Sequence, residues 1–569
     1  MSVSKIWSMV AGMEKTRRGE AGERFTHQYM GQIAKELDAA TGYSRDGGRG
    51  EMKFPSSGTP ERLAHYKQVA KTWKDTTVEG PAGEFKLSIN NQDGKALVAE
   101  VKLFPTAAGM TVQEFCYADG NPDFIRAYSG HDGIYTRPMA AGTYFMEVSK
   151  GSEYSIHQEI IKIEDGKETA TEVSLYRFID LAKAQWYTGD LHHHSVYSSP
   201  LFPPSGTDYV FDSVEEVAMS MQAKGLTFGA LSDHHNVFNH REWETVKTED
   251  FLPLLSKEIS TTNGHILSLN VDDDVVYRIP EEKDRTDEYL RAEFVRTTDE
   301  IRAKGGFPQV NHPRDMQKAI SFNPEFTDMI EVFDTIEIWN GSHAMADGTT
   351  NDEAFALWLS LLEEGRFLAA TTGSDTHDIG LKTWMDSFGY VLGLFGTVKE
   401  QYESLPKELK EKAEYFLSML EPQLEKLQVW EKINLTSGCV RTCVHAVGER
   451  TPKNLLENNK AGHSFVTNGP IVMAELNGAG HGDTVCVSDE ETELLAKLTI
   501  LSNRPLSELM VYQRGGLVKK YTLSPVEAVN GCYDYSREIP VEAQKDGWVF
   551  FRVQKDYNVQ AITNPIFMK

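Results

Sequence analysis

No stretch of this 569-residue chain approaches the roughly 18 consecutive apolar residues that a membrane-crossing helix needs, so no membrane span is expected. Low-complexity tracts and short-period repeats are also missing. At about 100–200 residues per domain, what remains is a globular chain of two to four domains. Cysteine is scarce. The five residues Cys116, Cys439, Cys443, Cys486 and Cys532 form an odd set without a CxxC pair, which argues against a disulfide framework and against a thiolate zinc cluster. Positive charge is in deficit, with 58 Lys and Arg against 84 Asp and Glu, a net charge of −26 that disfavours nucleic acid and anionic membrane surfaces. Small substrates and cations remain compatible partners. The opening "MSVSKIWSMVAGMEKTRRGE" has no clear small-residue cleavage site before its charged run, so a cytoplasmic location is expected. The oligomeric state is left open.

The chain changes rhythm along its length. Residues 1–82 read as a helical segment that contains a Gly- and Ser-rich loop, "RDGGRGEMKFPSSGTP". From 83 to 183, short alternating runs rich in Val, Ile, Tyr and Phe, punctuated by Gly and Asp turns, predict an antiparallel β-sandwich. Between 184 and 475 the pattern becomes strand, helix, strand, as in "QWYTGDLHHH", "SVEEVAMSMQAKG" and "LTFGALSDHH". Such alternation predicts parallel strands with crossover helices, in a barrel or an open sheet. Residues 384–432 carry amphipathic helical spacing and read as an insertion, either bordering the site mouth, where it would limit substrate size, or serving as an oligomer interface or peripheral decoration. From 476 to 569 short β runs return, as a second β-sandwich.

Polar residues gather at the predicted C-terminal ends of the strands in the α/β region: His192, His194, Asp233, His234, Glu258, His265, His312, Asp375 and His377. That edge is where parallel α/β folds build sites. His192 and His194 are two apart, so they share one face of an extended strand while His193 points away. Asp375 and His377 pair in the same way. Any one of these tripeptides alone would carry little. Together, nitrogen and oxygen donors in this number suit Zn²⁺, Mn²⁺ or Fe²⁺, and burying so many polar groups without partners would be costly. His235, His240 and His343 read as solvated loop residues or supports, and Cys439 and Cys443 with His445 as strand packing.

"GDLHHHS", "LSDHHN", the glutamate of "SKEIS" followed by "NGHILSL", "QVNHP" and "TGSDTH" occur in the order of the motifs of the PHP (polymerase and histidinol phosphatase) superfamily of metallohydrolases. The resemblance spans about 184–475. "AGHSFVTNGP", "AITNPIF" and the leading β-sandwich resemble the CehA/McbA branch. It implies a distorted (β/α)7 barrel flanked by the two sandwiches, and two to three divalent ions. By position, His192, His194, Glu258 and Asp375 would hold one ion. Glu258 would bridge to a second on His265 and His312, and His234 with His377 would take a third. Asp233 and Asn311 would orient ligating imidazoles. Glu258, Asp375 and His377 are the expected catalytic residues. The family pattern carries an aspartate after its HxH motif where "HSVYSSP" places Ser199, so a weakened third site is expected unless Asp208 or Asp212 folds back.

The resulting expectation is an enzyme that hydrolyses a small molecule with metal-bound hydroxide, with a phosphoester as the leading substrate class. A carboxylic ester or carbamate is the alternative that the CehA/McbA resemblance implies. A non-catalytic binding or structural protein with decayed metal sites is the third reading. Arg314 after the NHP motif and Arg441 in "GCVRTC" are candidate grips for a phosphate or carboxylate.

Overall fold

The computed structural model describes residues 78–569 apart from 116–123, 199–209, 211, 262, 279–283, 285, 316–320, 342–344, 381–394, 427–434 and 557–558, together with Leu37, Ala40 and Thr41. The helical reading of 1–82 therefore lies outside the described residues, save for those three and 78–82, and so do His343, Ser199 and Asp208. Among the described residues no helix is long and apolar enough to cross a membrane.

The first strands are β1 (Ala82–Asn91), β2 (Glu100–Thr106), β3 (Ile125–Tyr128), β4 (Ile134–Ala140), β5 (Gly142–Ser149), β6 (His157–Ile163) and β7 (Glu168–Leu175). They form a three-stranded sheet in the order β4-β1-β7 and a four-stranded sheet in the order β3-β2-β5-β6. Alternation explains the packing: Phe85, Leu87 and Ile89 of β1 are all fully buried, against Val101, Leu103, Met146 and Val148 of the other sheet.

The next run alternates strands and helices: β8 (Trp186–Asp190), α1 (Val214–Ala223), β9 (Phe228–Leu231), α2 (His240–Thr245), β10 (Leu252–Thr261), β11 (Gly264–Leu269), α3 (Asp287–Ala303), β12 (Phe307–Asn311), β13 (Thr335–Asn340), α4 (Thr350–Glu363) and β14 (Ala369–Gly373). In α1, Ser213 and Glu216 cap each other's backbone, and Val214, Val217, Ala218 and Met221 bury one face at i, i+3, i+4 and i+7. The seven strands neighbour one another in chain order, and a parallel bridge between His193 and Thr376 joins the first to the last.

One strand departs from the expected parallel arrangement. β11 runs antiparallel to both β10 and β12, because the chain turns back at once between Thr261 and Gly264. No crossover helix fits in so short a link, so a hairpin is the geometry left. Gly264 sits at φ +124°, and a Cβ there would fall 2.8 Å from the Phe322 backbone.

β15 (Arg441–His445) pairs antiparallel with β8, and β16 (Ser464–Thr467) pairs with β15. The sheet then continues without a break into the C-terminal strands Val559–Thr563, Trp548–Asp556, Glu508–Gln513 and Gly516–Thr522. The C-terminal β-layer thus extends the sheet that bears β8. A four-stranded sheet including Ile471–Leu476 and Glu493–Ser502 covers it over a core containing Leu498, Ile500, Val511 and Phe551. Within 384–432, a helical segment over 395–401 and α5 (Lys407–Lys426) are described, and Val398, Leu405, Tyr415 and Phe416 cluster with Leu37.

Candidate metal centre

All eight metal-ligand candidates named from the sequence converge at one edge of the seven-strand run. His192 and His194 follow the end of β8, His234 follows β9, and Glu258 lies near the end of β10. His312 follows β12, while Asp375 and His377 follow β14. His265 is the exception to the rule of C-terminal ends: it opens the reversed strand β11. The hairpin register sets Glu258 opposite Leu267, so His265 is its diagonal neighbour on the same face, with Nδ1 at 3.0 Å from Glu258 Oε1.

Three groups of donors result: His192, His194, Glu258 and Asp375; Glu258, His265 and His312; and His194, His234 and His377. Within each, one ligand atom per residue lies within 4.8 Å of the others. His194 belongs to two groups, a double membership that the sequence reading did not assign. Its ring stacks on His377 at 4.0 Å and on His234 at 4.4 Å between centroids.

The spacing of the donors fits a divalent ion. His192 Nε2 and His194 Nε2 face each other at 3.2 Å, and Asp375 Oδ1 lies 3.2 and 3.0 Å from them. Ligands at zinc's bond lengths of roughly 2.0–2.1 Å are separated by about 3.3 Å in a tetrahedron. Two imidazole nitrogens directed at each other need a shared proton or a shared cation between them. Glu258 Oε2 is buried and makes no well-angled hydrogen bond, although His234 Nδ1 lies at 3.0 Å. His312 Nδ1 is likewise a buried nitrogen without a hydrogen-bond partner.

Electrostatics divide the imidazoles. Burial opposes charge on His192, but the carboxylates of Asp375, Glu258 and Glu337 outweigh it and raise its pKa well above the usual range. Burial likewise opposes charge on His312, and Glu258 raises it to about 9. His194 is held well below its ordinary value by burial and by His377 and His234. Burial lowers His265 to about 4. Glu258 and Asp375 resist the upward push of burial, and the surrounding imidazoles, His192 first, hold both far below the ordinary carboxylate range. The pocket is therefore built for two carboxylates ionised beside compensating positive charge.

The backbone is bent to reach this geometry. His235, His312 and Asp375 have positive φ of 59°, 25° and 50°, in a region where non-glycine residues cost on the order of 1–3 kcal/mol each. Gly373 sits where a Cβ would fall 2.1 Å from His192 Cβ, so β14 closes on the HxH segment only with glycine there. Asp375 N then donates to His192 O, and His194 N to Thr376 O.

The supporting residues only partly match expectation. Asp233 reaches an imidazole indirectly: Ser198 Oγ donates to its carboxylate and contacts His194 Nδ1 at 2.8 Å. Asn311 holds a carboxylate as well as an imidazole: Nδ2 donates to Glu258 Oε1 at 2.9 Å and lies 3.5 Å from His192 Nε2. Glu337 was missed. It lies 3.1 Å from His192 Nδ1, accepts the His312 amide at 2.7 Å, and accepts from Asn340, which also binds Asp375 Oδ2. An acidic residue between the two isoleucines of the strand "TIEIWN" was its signal, because a buried carboxylate requires partners.

His193 turns away from the donors and is fully buried, with Nδ1 at His194 O and Nε2 at Ser437 Oγ, each at 2.8 Å. His240 is not a solvated loop residue: it is buried in α2, between Asp272 and the Ser256 carbonyl. His235 is half-buried and donates its amide to Glu258 O. Cys439 and Cys443 are buried and absent from the three groups, and Cys443 packs within β15 beside Thr188. Arg314 lines a cavity with His312 and Asn340, its Nη1 donating to the Pro313 carbonyl. Arg441 is corrected. Its guanidinium is buried away from the donors and donates to the Lys224 carbonyl at the end of α1, so it grips backbone, not substrate. Asp212 does not join the third group; its carboxylate accepts the Ile379 amide at 2.8 Å.

No protein-family model matches the chain, and no curated protein matches it. Solved structures give partial likenesses. A Bifidobacterium adolescentis protein described as a metal-dependent phosphoesterase matches at 13% identity over 33% of this chain and 87% of its own, with a TM-score of 0.24. A Chromobacterium violaceum amidohydrolase, with bound sulfate and no metal, matches at 17% identity over 34% and 88%, with a TM-score of 0.23. The Bacillus anthracis TIE protein matches at 13% identity and a TM-score of 0.13 over 20% of this chain, which spans 18% of its length. At TM-scores this low the likenesses carry no argument, and the functional reading rests on the donor geometry.

Proposed function

We propose that this protein is a metal-dependent hydrolase of small phosphoesters, with the ring of seven strands acting as a distorted (β/α)7 barrel that presents the site at one edge. The observation that carries the reading is the sharing of donors: Glu258 stands in two groups and His194 in two, so the three groups form one cluster. Bound divalent ions, of Zn, Mn or Fe type, would supply Lewis acidity and lower the pKa of a coordinated water. His192, His194, Glu258 and Asp375 would hold the first, Glu258, His265 and His312 the second, and His194, His234 and His377 the third.

The chain's own contribution is orientation and charge. Glu337 and Asn311 fix His192 and Glu258 before any substrate arrives, so little reorganisation accompanies binding. Arg314, beside His312, supplies a fixed positive charge for an anionic substrate group. His377 and Asp375, the least buried of the acidic and imidazole donors along with His234, face the side from which a substrate enters.

The test is metal analysis of the purified protein joined to a hydrolysis screen over phosphomonoesters, phosphodiesters, aryl esters and carbamates. Turnover of phosphoesters alone supports this reading. Turnover confined to aryl esters or carbamates would replace the substrate class, and an apoprotein that takes up no ion would leave a binding or structural role.

A further inference from the structure

The N-terminal β-sandwich touches the chain segment that carries His377. Tyr128, the last residue of β3, donates its hydroxyl to the Ile379 carbonyl at 2.7 Å and contacts Thr436 Oγ1 at 2.7 Å. Two residues earlier on the same face of β3, Arg126 donates from Nη1 to the Leu435 carbonyl at 3.0 Å. The Ile379 amide is held from the other side by Asp212. Both backbone groups of Ile379 are thus taken, the amide by Asp212 and the carbonyl by Tyr128 of the sandwich, with Thr436 Oγ1 at a longer 3.3 Å.

His377 lies between two anchors. Upstream, Asp375 N and Thr376 O are bound to the HxH segment. His377 Nδ1 itself lies 3.0 Å from the Asp375 carbonyl, and downstream Ile379 is held two residues on. Burial raises the Tyr128 phenol far above its usual range, so its hydroxyl stays protonated and remains a donor. The strand that carries it is itself clamped: Arg126 Nε lies 3.2 Å from Glu100 Oε1, both buried, and Glu100 Oε2 accepts from the partly buried Lys224 at the end of α1 at 2.8 Å. Buried ion pairs are weak sources of stability but good fixers of geometry, because a displaced charge is left without a partner.

We infer that the N-terminal β-sandwich is a working part of the metal centre, with Tyr128 a positioning residue that sets His377 through the Ile379 carbonyl. The inference rests on the metal-binding reading of the previous section. The Tyr128 hydroxyl completes the third group, His194, His234 and His377, and leaves the two groups that share Glu258 untouched.

The test uses the full chain stripped of metal and titrated with Co²⁺, whose visible spectrum reports ligand geometry at each site. In Tyr128→Phe the most weakly held ion loses affinity by about tenfold, the lower end of what changes behind a metal ligand cost, while the remaining ions and the thermal midpoint stay within error. In a His377→Ala background the same Tyr128→Phe change has no further effect on Co²⁺ binding, because the hydroxyl acts only through His377. Thr436→Val, which leaves the Tyr128 hydroxyl in place, produces a smaller loss of the same ion. Equal weakening of every ion, weakening that persists in His377→Ala, or unchanged binding in Tyr128→Phe would each overturn the inference while leaving the metal reading intact. A wild-type chain that takes up no Co²⁺ would overturn both.

Discussion

The two groups that share Glu258 and the group of three imidazoles lie a few ångströms apart, yet they are built on different principles. The first two contain carboxylates held ionised by their neighbours, and Glu337, Asn311 and Asn340 fix their donors from behind. The third has His194, His234 and His377, and no carboxylate among its donors. A dication placed among neutral rings receives no charge compensation, and imidazole favours zinc, iron and nickel over the harder manganese and magnesium. The comparison teaches that donor count alone does not make a site. On the metal-binding reading, charge and rear support would decide which position fills first.

Removing the shared carboxylate should break the comparison most. Glu258→Ala strips a donor from both groups that contain it, and the ion affinity of those two groups should fall by more than the roughly 10- to 100-fold that changes behind a ligand cause. Elemental analysis after dialysis measures this; retention of two ions would mean that Glu258 does not bridge.

The next effect concerns imidazoles that hold no ion. Burial holds His193 at about 4 and His481 at about 3, against an ordinary 6.5, so on acidification the unfolded chain takes up protons that the folded chain refuses. Their contribution is complete above pH 6.5 and is lost as the pH falls toward 4, on the order of 3 kcal/mol for His193. Urea midpoints should decline over that window, and His193→Asn should flatten the decline; an identical slope in the variant would show that His193 is not the responsible group.

Glu337→Gln sharpens the contrast from behind. It keeps the shape but removes the charge beside His192 and His312, so affinity of the Glu258-sharing groups should drop by roughly 10- to 100-fold, with the third group unaffected. Isothermal titration with Zn²⁺ separates the steps. The smallest change belongs to Ser198→Ala, which cuts the link from Asp233 to His194: about tenfold in the affinity of the two groups that contain His194, with the group of Glu258, His265 and His312 spared, read in the same titration. A uniform loss across all ions would erase the distinction between the groups.

Legibility followed sequence range. The motifs HHH, SDHH, NHP and SDTH are short, and the order of strands and helices around them sets all four at one sheet edge, so the donors could be named without coordinates. Glu337 escaped because its partners, His192 and His312, come from other strands. Arg441 and His240 misled for the same reason. A buried guanidinium satisfied by the Lys224 carbonyl, and a histidine wedged against the Ser256 carbonyl, look from sequence like any polar residue near a motif. The reversal of β11 was not legible because periodicity reports burial and not direction.

Sequence alone determined which residues are candidate nitrogen and oxygen donors, the alternation of β-rich and α/β stretches, and the outward turn of His193. These depend on residue chemistry and on the two-residue period of an extended chain. Tertiary structure alone decided that His194 serves two groups, that a reversed β11 brings His265 to Glu258, that Glu337 stands behind the ligands, and that Tyr128 of a separate sandwich reaches the His377 segment. Each of these is a contact between residues far apart in the chain, made by strand direction and register, which no local pattern encodes.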